Sequence, residues 1–139
     1  MPYAVLNDLL EAIDETELVG LTDDAATGEI DPGVVDRAIA DAAAEIDGHV
    51  GKRYPVPFAD PVPDRVRALA VTIAVYRLDT RRRSGQPERR KHYEDAVAFL
   101  KAAARGEATL GPVPADETPG RSAEPRIVST PPTFGRENW

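Results

Sequence analysis

Residues 31–58 read DPGVVDRAIADAAAEIDGHVGKRYPVPF, and the spacing of their apolar side chains decides the fold class. Val35, Ile39, Ala42, Ala43, Ile46 and Val50 recur at intervals of three and four, which places them on one face of an α-helix. The remaining positions carry Asp36, Arg37, Asp41, Glu45, Asp47 and Gly48, so the helix is half-buried and needs a partner for its apolar side. Asp31 is suited to cap its start, with Pro32 at the first helical position, where a missing N–H costs nothing. Gly51 is expected to close it in the left-handed conformation. The Tyr54-Pro55-Val56-Pro57 run that follows cannot be helical, and reads as a stiff, extended elbow.

The flanking sequence supplies the partners. Two short helices are expected near the N-terminus, Leu6 to Ile13 and Glu15 to Val19, with Asn7 and Asp14 as caps. Their Leu6, Leu9, Leu10, Ile13, Leu18, Val19 and Leu21 form an apolar surface suited to packing on the organising helix. After the elbow, Asp64 opens a second long helix to about Arg83, apolar around so much of its circumference that it reads as the central core element. Pro87 opens a third, stopped by Gly106, with Tyr93, Ala96, Val97, Leu100, Ala103 and Ala104 on its inner side. The short Ser84-Gly85-Gln86 link makes these last two an antiparallel hairpin. The expectation is an all-α bundle of three long helices plus short N-terminal ones.

This body, residues 1–106, is followed by a different composition. From residue 107 to 139 the prolines Pro112, Pro114, Pro119, Pro125, Pro131 and Pro132 alternate with Gly, Ser, Thr and acids, which neither form a helix nor bury much apolar area. The segment reads as an extended arm. It carries Leu110, Ile127, Val128, Phe134 and Trp139, an apolar group every few residues, which suits docking on a neighbour.

At 139 residues the chain supports one domain. No apolar run approaches the ~20 residues that span a bilayer, and the first residues are acidic where a secretory signal is basic, so a cytoplasmic site of synthesis and no membrane partner are expected. The absence of cysteine excludes disulfides, thiolate metal sites and a cysteine nucleophile. Charge is distributed unevenly. Residues 1–48 hold thirteen acids against the single base Arg37, a balance of −12, and residues 49–139 hold eleven acids against sixteen bases, a balance of +5. Such asymmetry suits head-to-tail contact between copies, where one copy's acidic patch meets the next one's basic patch.

Two features resemble sites. Asp23 to Asp31 has the outline of a calcium loop, with Asp23 first and Gly28 sixth, but the third position is Ala25 and the twelfth, where a bidentate Glu belongs, is Val34. Calcium takes about six to eight hard oxygens, so the loop is read as a tight acidic turn in which Gly28 bends the chain and Asp31 caps the helix. The basic residues Arg77, Arg81, Arg82, Arg83, Arg89, Arg90 and Lys91 gather at the hairpin tip. They could meet phosphate, yet no aromatic residues interleave them and no recognition-helix pattern is present. The tip is read as a solvated or protein-docking surface. His49 and His92 lie on different helices without a recognisable acid or nucleophile motif beside them, and no phosphate-cradling, dinucleotide, nucleophile-elbow or zinc-protease motif occurs. No enzyme and no cofactor are expected.

As a whole, the pattern resembles a family of small Mu-like bacteriophage proteins encoded among head and neck genes. The segments that carry the likeness are PYAVLNDLLEAID, LVGLTDDAATGEID, VVDRAIADAAAEIDGHVGKRYPVPF, VPDRVRALAVTIAVYRL, YEDAVAFLKAAARGEATLG and STPPTFGREN. Ala44 to Gly48 followed by Lys52 to Pro57 is the most specific part. The family is similar to the helical head-tail connector, or adaptor, proteins of tailed phages and gene transfer agents. The resemblance implies a structural protein of the virion neck that forms a ring with itself, a dodecamer, between the portal protein and the tail or a head-completion protein, with packaged DNA passing through unread. Its assembly surface is expected to involve Tyr54 and Pro55 of the elbow, Arg81, Arg82 and Arg83 of the tip, and the arm's Leu110, Ile127, Val128, Phe134 and Trp139. Two alternatives remain: a tail-completion or terminator ring, and a small DNA-binding regulatory module that uses the arginine tip.

Overall fold

The computed structural model describes residues 2–82 and 86–111, and among them every regular element is an α-helix. The order is α1 (Leu6–Ala12), α2 (Glu15–Thr22), α3 (Pro32–Val50), α4 (Asp64–Arg81) and α5 (Pro87–Ala104). α3, α4 and α5 pack mutually around one core, α1 lies against α3 and α4, and α2 lies against α4. α4 is the hub, as its wide apolar surface requires. Val66, Leu69, Ala70, Ile73, Ala74, Val75 and Leu78 are all buried. On α3 the predicted stripe is buried through Val35, Ile39, Ala42, Ile46 and Val50, while Ala43 is only half-buried.

The ends of the helices show which local rules operate. The Asp31 carboxylate accepts from the Gly33 and Val34 N–H groups at 2.9 and 3.4 Å, the expected cap of α3. At the other end Gly51 departs from expectation: it stays right-handed (φ −62°, ψ −19°). The turn simply continues, with the Arg53 and Tyr54 N–H groups donating to the Val50 carbonyl, because Tyr54 is drawn into the core before Pro55 stops the coil. The glycine is used for close approach, since a Cβ there would lie 2.8 Å from the Asp47 carbonyl oxygen. Gly106 does take the left-handed form (φ +83°) and closes α5 with paired bonds from Gly106 N–H to Ala103 O and Glu107 N–H to Ala102 O.

α1 begins at Leu6 and stops one residue short of Ile13, which is extended. Its start is fastened by Asp8, whose carboxylate accepts from the Val5 N–H at 2.9 Å, and not by Asn7. Asp14 occupies the cap position of α2 without a side-chain cap bond. α4 ends at Arg81, two residues before the expected limit.

Residues just past Gly106 also pack on the helices. Leu110 is 1% exposed, and its N–H donates to the Tyr54 hydroxyl at 3.4 Å, so this residue of the expected arm is seated in the core. The elbow is stitched to the N-terminus by Tyr3, 2% exposed, whose hydroxyl donates to Asp47 Oδ1 at 2.6 Å and accepts from the Phe58 N–H at 3.0 Å. Its ring meets Phe58 edge to face at 5.6 Å. Replacing Tyr3 by Phe keeps the packing and strands the Phe58 N–H. It is expected to lower the unfolding free energy by about 1–3 kcal/mol, read as a reduced urea midpoint at unchanged slope.

Candidate functional site

Reactive side chains of this bundle are largely turned on one another. Glu45, at the middle of α3, is the first junction: Arg77 Nη2 of α4 donates to its Oε1 at 2.7 Å and the Tyr93 hydroxyl of α5 to its Oε2 at 2.6 Å. Tyr93 also stacks on Tyr76, with ring centroids 4.1 Å apart. One carboxylate thus holds all three long helices in register. The bond to Glu45, helped by burial, pushes the Tyr93 hydroxyl up to about 12. Burial first, then the bond to Asp47, does the same for Tyr3.

The second junction closes the hairpin. Asp79, 1% exposed on α4, accepts from the Gln86 N–H and from Arg89 Nη1, each at 3.0 Å, while Arg89 Nη2 reaches Glu17 of α2. A buried carboxylate therefore satisfies an amide at the start of α5, where the helix dipole favours negative charge, and is paired by a largely buried guanidinium. The apolar pattern of α4 gave no place to Asp79. The detectable signal is an acid set among Val75, Leu78 and other core residues, ahead of a short link and a downstream arginine.

The two candidate sites read from the sequence meet each other. In the acidic turn, Asp23 accepts from the Thr27 and Gly28 N–H groups at 2.8 and 2.7 Å, which holds its carboxyl below the usual range, and Gly28 is left-handed (φ +83°). The buried Thr22 hydroxyl accepts from the Asp31 N–H at 3.2 Å, and the Asp31 carboxylate is committed to its cap. These oxygens are spent on backbone amides, as a structural turn requires. Among the described residues no cluster of three or more His, Asp or Glu side chains is placed to hold a metal ion. Arg81 and Arg82 of the tip dock on this same turn. Arg81 donates to both Asp24 oxygens, at 3.2 and 2.5 Å, and to the Leu21 carbonyl; Arg82 donates to Asp24 and to the Gly20 carbonyl. The Arg81 bond lowers the Asp24 carboxyl below its ordinary value.

Of the remaining assembly candidates, Pro55 is exposed on the elbow, whereas Tyr54 and Leu110 are core residues bonded to each other and do not line an outer surface in this form. Arg83, Ile127, Val128, Phe134 and Trp139 lie outside the described residues.

Residues 3–129 match the sequence profile of the family described as "Bacteriophage Mu, Gp36". The chain belongs to that family. It is 30% identical over 142 aligned residues to "Gene product J" of Escherichia phage Mu, an alignment covering 99% of this chain and 96% of the phage Mu protein. It is also 36% identical over 89 residues to "Mu-like prophage FluMu protein gp36" of Haemophilus influenzae, covering 64% of this chain and 61% of that protein. The expected Mu-like phage kinship is therefore correct, and this member of the Gp36 family is all-α over its described residues.

Two measurements follow from the junctions. Arg89→Met leaves the Asp79 carboxylate buried without its cation and is expected to cost about 3–5 kcal/mol, against no more than about 1 kcal/mol for Arg81→Ala at the half-exposed tip, both read by urea denaturation. The tyrosines set an alkaline limit. Their folded pKa values near 12 lie above the unfolded value of 10, so the stabilisation is complete below pH 10 and is lost as pH rises through 12. Urea midpoints measured from pH 8 to 12 should fall above about 10, and less steeply in Tyr93→Phe.

Proposed function

We propose that this chain is a structural virion protein of a Mu-like phage, prophage or gene transfer agent: a head-tail connector subunit that forms a ring, a dodecamer, between portal and tail. The observation that carries this reading is the extent of the family match. It runs past the helical body through residue 129, so the proline-rich segment as far as that residue belongs to the family's shared sequence together with the bundle. A body whose carboxylates and arginines fasten its own helices, followed by a segment rich in proline with isolated apolar groups, suits mechanical assembly better than turnover of a substrate. Partners in this reading are further copies of the chain, the portal protein, and a tail or head-completion protein. Packaged DNA passes through the ring without being read.

The DNA-binding alternative has less support, because Asp24 already holds two of the three arginines it would use. The charge asymmetry supports ring contact less strongly than the sequence alone suggested. Glu17, Asp24 and Glu45 of the acidic half pair with Arg77, Arg81, Arg82 and Arg89 of the basic half within one chain.

Light scattering of the purified full chain over a range of concentrations is expected to give a closed multimer, with copurification of portal or of tail tube components identifying the neighbour. A single copy at every concentration, with and without those components, would overturn the proposal.

A further inference from the structure

A groove of about 600 Å³ runs along α3 beneath the N-terminal segment. Val5, Ile39, Ala43 and Pro57 are among its apolar lining, and Asp36 and Asp47 are its charged lining. Val5 is 54% exposed, the large hydrophobic side chain most open to water among the described residues, although it sits beside the fully buried Tyr3 and Ala4. An apolar cleft with two acids and no base is a receptor for an apolar segment that carries positive charge.

The chain contains such a segment. Residues 126–136 read RIVSTPPTFGR: Ile127, Val128 and Phe134 between two arginines, with no acid. The fourteen residues before it, 112–125, hold four prolines and three acids. Proline favours extended backbone at about 3.1 Å per residue, so this spacer reaches about 43 Å. The nineteen residues of α3, the longest helix, span about 28 Å. At full extension such a spacer exceeds the length of α3, long enough to bring the basic apolar segment to a neighbouring copy, and the spacer's acids are repelled by the groove's. We infer that the α3 groove receives residues 126–136 of a second copy of the chain. This rests on the ring reading and names its joint: the neighbour's segment lies between Val5 and α3, its arginines facing Asp36 and Asp47.

The natural sequence has no cysteine, which permits a direct test on the full chain. Ala40 is exposed on α3 and lines the groove, so Ala40→Cys leaves the core intact. One preparation carries Ala40→Cys and another Val128→Cys; they are mixed under mild oxidation, with Glu94→Cys on the exposed face of α5 replacing Ala40→Cys as control. The mixed disulfide between copies is expected to form roughly a hundredfold faster than the control, as a docked segment's effective concentration implies. Asp36→Arg, added to the Ala40→Cys protein, slows it severalfold, and an unchanged rate overturns the charge pairing on which the assignment stands. If light scattering gives a multimer while the cross-link stays at the control rate, the groove assignment falls and the ring stands. If a chain carrying both cysteines closes only on itself, the occupant is its own segment and the proposal fails. A protein that stays single at every concentration removes both.

Discussion

The constraint on which the fold depends is the girth of the apolar surface on α4. Val66, Leu69, Ile73, Val75 and Leu78 point in too many directions for one partner helix to cover, so α3 and α5 both close on it, with α1 and α2 packed against it as well. Burial of each such side chain contributes roughly 1.5–3 kcal/mol, against about 0–1 for an exposed ion pair. Packing on α4 therefore outweighs the exposed surface pairs such as Arg90–Glu94 and Lys91–Asp95. The other helices take their places because of what α4 leaves uncovered.

Apolar packing sets which helices touch but tolerates sliding, and the polar junctions remove that freedom. Glu45 can bond Arg77 and Tyr93 together only at one relative height of α3, α4 and α5. Asp79 likewise fixes the hairpin by binding both the Gln86 amide and Arg89. Such carboxylates add little net stability while their partners are present, since desolvation offsets much of the attraction; removing one partner is what costs. Their contribution is to the single register of the bundle.

The helices were legible in the sequence because their signals are local: the three-and-four spacing of α3, the Asp31-Pro32 start, the Pro87 start and the Gly106 stop. What was not legible depended on partners distant along the chain. Gly51 carries the usual mark of a left-handed stop, yet the pull of Tyr54 into the core kept the coil turning. Leu110 lies in a stretch whose composition marks an arm, but its burial in the core and a bond to the Tyr54 hydroxyl hold it on the body. The charge halves were plain in the sequence, and only the fold shows that Asp24 lies against Arg81 and Arg82, 57 and 58 residues away. The acidic turn and the arginine tip, read separately as two surfaces, are one clasp.

This division of labour bears on how assembly could arise. α3 has a buried stripe, a line of fastening acids in Glu45 and Asp47, and the exposed Asp36, Ala40 and Ala44 that open onto the groove. Small side chains on the third face leave room beneath Val5 without weakening the first two. A larger residue there would fill the cleft at little expense to the core, since the space is open to solvent. The exposed small residues Ala40 and Ala44 of the groove therefore contribute little to the folding of one copy. A segment with six prolines cannot assemble a core of its own, and its isolated apolar groups gain only against another surface. In the proposed ring the two complement each other: the segment's apolar groups cover the cleft of the next copy. Substitutions at the exposed Ala40 or Ala44, or within the segment, can then alter the strength of the joint while the packing on α4 is left as it is.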